Sequence, residues 1–165
     1  SRVPLFLFQA VQAALLPRLT AEIVEGRPNT ALGTLRRLEA LLVALMVVAI
    51  AGLTVLGPWA TKLLFGPDFA ITWADMLWFS AGGALFVVAF LHHQALVATG
   101  RVHITAMAWM CGLGFNLAVL VIASLAEWGS DVGRVEVAYV TGILVVVIIA
   151  RTLSHRELGA SRVTR

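Results

Sequence analysis

Apolar residues along this chain fall into blocks rather than stripes. Five runs stand out: Val3–Leu16, about Leu38–Leu56, Met76–Ala98, Ile104–Leu125 and Val137–Ala150. Glu39 is the only charged residue in any of them. Runs this long and this apolar predict membrane-spanning helices. The first run rises only roughly 20 Å, short of the roughly 30 Å hydrocarbon core. It therefore reads as the end of a spanning helix, closed by Pro17, which lacks an amide donor. The chain opens inside this helix without Met, so it is expected to be a piece of a longer protein. The fifth run is rich in Val and Ile, which in water favour strands. In lipid an unclosed strand leaves backbone groups unsatisfied, so helix is the reading there too.

The polar segments set the boundaries. Residues 18–37 contain Gly26, Pro28, Asn29 and Gly33 and read as a basic loop. Gly57-Pro58 is expected to stop the second helix, leaving a short amphipathic piece from Trp59 to Phe65. Trp59, Phe65, Phe69 and Trp73 form an aromatic belt of the kind found at headgroup level. The link Thr99-Gly100-Arg101 is so short that the third and fourth runs are expected to be antiparallel neighbours. The fold class expected is all-α, a polytopic integral membrane bundle. It has four complete transmembrane helices plus the end of a fifth, with spans at about 1–17, 38–57, 76–98, 103–126 and 132–151. Residues 1–153 form the bundle, and residues 154–165 a fraying cytoplasmic tail.

Composition agrees: 60% of residues are hydrophobic and 13% charged, against about 25% charged in ordinary globular chains. The net charge of +3 does not indicate nucleic acid, because the cations lie between apolar runs and no basic patch is interleaved with aromatics. One face receives Arg18, Arg27, Arg36, Arg37, Arg101, Arg151, Arg156, Arg162 and Arg165. The other receives Lys62 and Arg134, with Arg2 near the far end of the first helix. The richer face is expected to be cytoplasmic, with the C-terminus on it, in a multi-pass cell-membrane protein.

Signatures of enzymes are missing: no HExxH, no Walker loop and no GxSxG occur. No cofactor and no metal is expected, and the single Cys111 reads as a small packing residue. Arg2, Gln9 and Gln12 project within roughly an 80° arc of one helix. One reading is a wet cavity in which Arg2 meets a phosphate and the glutamines meet sugar hydroxyls. The other is interhelical hydrogen bonding, with Arg2 snorkelling outward. His92 and His93 point about 100° apart, so both cannot line one narrow pore. Either could couple to protons or simply pack. Ser80-xxx-Ala84 and Ala108-xxx-Gly112 are small-residue pairs that permit close helix approach. Asn116 reads as interhelical glue, and Glu127, Asp131 and Glu136 as a solvated loop.

The stretch PLFLFQAVQAALLPRLT, followed by LLFGPDF, QALVATGR and Ala108-Trp109, resembles polysaccharide and lipid-linked-oligosaccharide flippases of the MOP exporter superfamily, particularly actinobacterial ones. The motifs cover most of the chain in the expected order. The resemblance implies part of a MATE/MOP-like C-terminal six-helix bundle, working by alternating access with an N-terminal bundle of the same protein. It implies a polyprenyl-phosphate-linked glycan as cargo and membrane lipid as surroundings. Arg2, Gln9 and Gln12 would then be substrate-binding, with His92 and His93 candidates for proton coupling. Competing readings are a non-transporting scaffold or assembly subunit, and a drug/cation antiporter of the related fold.

Overall fold

The computed structural model describes residues 21, 28–68 and 71–160. Among them are four helices: α1 (Pro28–Phe65), α2 (Trp73–Ala98), α3 (Val102–Leu125) and α4 (Asp131–Ala160). Each is long and apolar enough to cross a membrane. The expected fifth helix, Val3–Leu16, lies outside the described residues.

The helix α1 runs through both of its expected boundaries. Its 38 residues rise roughly 57 Å. Pro28 sits at the first helical position, where a missing amide costs nothing. Leu32 and Leu35 then bury against Leu91 and Ala95 of α2 and Leu158 of α4, which makes a helix of a segment that composition marked as loop. Pro58 lies inside the helix instead of ending it. Just beyond it, the Thr61 hydroxyl donates to the Gly57 carbonyl at 2.9 Å, one turn back along the same helix. In lipid, breaking the helix outright would expose several more unpaired backbone groups. Gly57 is buried, with the Met76 side chain from the start of α2 lying over it: a Cβ there would meet that side chain at 2.7 Å.

Turns are closed by local chemistry. Gly66, at φ +96°, follows the last residue of α1, and its amide donates to the Lys62 carbonyl at 3.0 Å. Thr72 caps α2 through a reciprocal pair: the Asp75 amide donates to its hydroxyl, and its own amide donates to the Asp75 carboxylate. Between α3 and α4, the Arg134 guanidinium donates to the carbonyls of Trp128 and Gly129 and pairs with Asp131 at 3.2 Å. The belt residues Trp59, Phe65 and Trp73 are exposed at this same end.

The helix α4 is the centre of the packing. It contacts both α2 and α3 along much of its length, while α1 leans mainly on α2. Val88 and Ala89 of α2 meet Ile143, Val146 and Val147 of α4, with Leu85, Trp109 and Tyr139 around them. The expected pairing of the third and fourth runs is thus corrected. The helices α2 and α3 share a short turn but touch little, for instance where Phe86 meets Trp109 at 5.4 Å between ring centroids. Two glycine notches explain the preference for α4. Gly82 receives Tyr139, and Gly112 faces Gly142 so closely that a Cβ on Gly112 would lie 2.9 Å from the Gly142 carbonyl. Ala108-xxx-Gly112 therefore serves close approach, but toward α4. The C-terminal tail is also shorter than expected, because α4 stays helical to Ala160. Leu158 holds that extension against α1 and α2.

Candidate ionic site at the basic end

The N-terminal part of α1 and the C-terminal parts of α2 and α4 meet at the arginine-rich end of the bundle. Here Glu39, the one charged residue of the apolar runs, is drawn into contact with neighbouring helices. Its side chain is 13% exposed, and its Oε1 accepts from the Arg151 Nε at 2.8 Å. The same Oε1 lies 3.7 Å from His92 Nε2, and Oε2 lies 4.0 Å from His155 Nε2. Three helices therefore converge on one carboxylate.

His92 is fully buried and its ring orientation is fixed from behind. Its Nδ1 lies 3.0 Å from the Ser154 hydroxyl, and that hydroxyl donates to the Arg151 carbonyl at 3.0 Å. If the hydroxyl keeps its proton on the Arg151 carbonyl, it accepts from His92, and the neutral imidazole then carries its proton on Nδ1. Nε2 then presents a lone pair toward Glu39, and it has no hydrogen-bond partner. A proton added at Nε2 would face the carboxylate. Chemically, this is a position for one transferable proton, wedged between an acid and two basic rings.

His93 does not join the cluster. It stacks on Phe90 at 5.4 Å, one helical step away, as the 100° offset requires. Arg2, Gln9 and Gln12 lie outside the described residues. No group of three His, Cys, Asp or Glu side chains among the described residues is arranged for a metal ion. Glu39, Arg151, Ser154 and His155 were missed as a unit. The signal was available: the one acid in an apolar run should have a partner, and Arg151 and His155 share a face only if α4 continues past Ala150.

Beside the cluster, α1 and α4 bound a groove of about 720 Å³ into which Arg36, Arg151 and Arg156 project. At the opposite end, a smaller hollow of about 350 Å³ lies between Phe79, Asn116 and Tyr139. Glu136, expected in a solvated loop, is instead 3% exposed on α4, beside Asp75. It is buried because α4 begins at Asp131 and turns this residue toward α2. The chain matches no protein-family model, and comparisons with curated proteins and with solved structures find no match either.

Proposed function

We propose that the chain is part of a membrane transporter that moves a polyprenyl-linked oligosaccharide or polysaccharide precursor across the cytoplasmic membrane by alternating access. The carrying observation is the Glu39–His92–Arg151–His155 cluster, a set of ionisable groups that three membrane-length helices bring together at the basic end. Burying such groups among lipid-facing helices is costly, and they are kept where ions, protons or polar cargo are handled. The motif order of the flippase-like stretches supports the cargo class. A polyprenyl tail can remain in lipid while the headgroup crosses, and the protein's task is to replace the headgroup's lost hydration. In this reading Arg2, Gln9 and Gln12 meet the headgroup, and His92 exchanges the coupling proton. The arginine-rich end is cytoplasmic, and an N-terminal bundle of the same protein completes the cavity.

The antiporter reading gains one observation, since Glu39 is more buried than its position suggested. Its Oε1 is held by Arg151 at 2.8 Å, however, which leaves it poorly placed to bind a cargo cation. The test is genetic. Loss of the whole protein in its native cell should trap polyprenyl-linked glycan on the inner leaflet, and Arg2→Ala should do so with protein levels intact. Undiminished glycan export in both strains would refute the reading.

A further inference from the structure

We propose that the groove between α1 and α4 at the basic end binds a phosphate-bearing anion. The inference stands on the groove alone and does not depend on the transport reading. Three arginines, Arg36, Arg151 and Arg156, line this space with His155 and one acidic residue, Glu39. Arg36 and Arg156 pair with no carboxylate among the described residues. Like charges gathered in a groove with an apolar wall repel one another unless an anion enters.

The geometry prepares one of the three for that anion. Glu39 engages Arg151 through Nε, so the terminal N–H groups of the guanidinium keep donors in a planar fork suited to phosphate oxygens. The Arg151 side chain is 55% exposed, within reach of an incoming ligand. Arg36 lies one turn before Glu39 on α1, and Arg156 five residues after Arg151 on α4, so donors approach from two helices. The volume of about 720 Å³ exceeds what a bare phosphate needs. It falls in the range of small-molecule sites, with room for the organic group the phosphate carries. Val43 lines the groove from the apolar run of α1, extending it toward hydrocarbon. The shared chemistry is a phosphate ester, which can come from a lipid headgroup or from a soluble phosphate compound.

The two sources separate in one experiment on the full chain in detergent. Native mass spectrometry reads retention of added phosphatidylglycerol or phosphatidylcholine, and calorimetry reads binding of inorganic pyrophosphate. The wild type should retain phosphatidylglycerol preferentially. Arg36→Gln combined with Arg156→Gln should weaken that retention on the order of thirty-fold, taking the contribution of each near-surface cation together. Both side chains are exposed, so the double variant should keep its helix content and melting temperature. Arg156→Gln alone should show an intermediate loss. Arginine-dependent pyrophosphate binding without a lipid preference would support the site and assign it a soluble ligand. Equal phosphatidylglycerol retention by wild type and both variants, with no arginine-dependent pyrophosphate binding, would overturn the proposal.

Discussion

Ser154 decides which ring nitrogen of His92 carries the proton, and so which one faces Glu39. Replacing it with alanine removes the only partner of a buried Nδ1. Ser154→Ala should cost about 1–3 kcal/mol, the usual penalty for a buried group left unpaired. Chemical denaturation in detergent would measure it, and nitrogen NMR of the His92 ring should show the Nδ1–H tautomer weakened. An unchanged tautomer would contradict the hydrogen-bond assignment. Glu39→Ala should cost about 2 kcal/mol, the worth of a hydrogen bond to a charged group. The loss is moderated because Arg151 is half-exposed and can turn to water. If Glu39→Ala proves neutral in the same denaturation, the pair is an incidental surface contact. His92 itself was legible as a lone imidazole in a span. Its partners were not, because Ser154 lies 62 residues away and local spacing carries no information at that range.

At the scale of the helices, hydropathy located every described span but not its ends. Apolar runs mark the portion that meets lipid, whereas the helices continue wherever a few side chains find a partner. Leu32 and Leu35 extend α1 backward, and Leu158 extends α4 forward. Pro58 misled for a related reason: its breaking power is calibrated in water, where freed carbonyls find solvent. Packing partners were half legible. Ala108-xxx-Gly112 announced a close contact, and Ala138-xxx-Gly142 carries the same spacing on the helix that receives it. Gly112→Leu should separate α3 from α4, costing about 1–3 kcal/mol as overpacking does, because a side chain there meets both the β-branched Val146 side chain and the Gly142 carbonyl. Gly114→Ala, two residues on, meets open space and should be neutral or slightly stabilising. Melting of the two purified variants compares them directly. Equal melting temperatures would mean the notch does not hold the pair together.

For the whole molecule, the arginine count and the helix order agree on a single arrangement, with Arg36, Arg37, Arg101, Arg151 and Arg156 at one end and Lys62 and Arg134 at the other. In a Cys111→Ser background, Val102→Cys and Ser130→Cys should be labelled by an impermeant thiol reagent from opposite sides of the membrane. On the proposed orientation, Val102 should react only after the cytoplasmic side is opened. Labelling of both from one side would reject the four-span topology. The assembly was less legible than the topology: chain order suggested that neighbours in sequence would be neighbours in space, yet α4 takes the place between α2 and α3. Adjacency is decided by which faces carry small residues, and the length of a turn constrains it only at one end. Among the described residues little covers α1, since only 6% of its most apolar window is buried.

The position of the Glu39–Arg151 pair has a mechanical consequence. Glu39 stands at the start of one apolar run and Arg151 immediately after the end of another, so their contact sits where the helices leave the hydrocarbon. Hydrophobic mismatch acts at that depth. A thicker bilayer draws the ion pair toward the acyl chains, where separating the charges is expensive, and it clamps α1 to α4. A thinner bilayer leaves the pair among hydrated headgroups, where it opens easily. On this placement, the lipid composition of the surrounding bilayer is expected to set how firmly these two helices are joined.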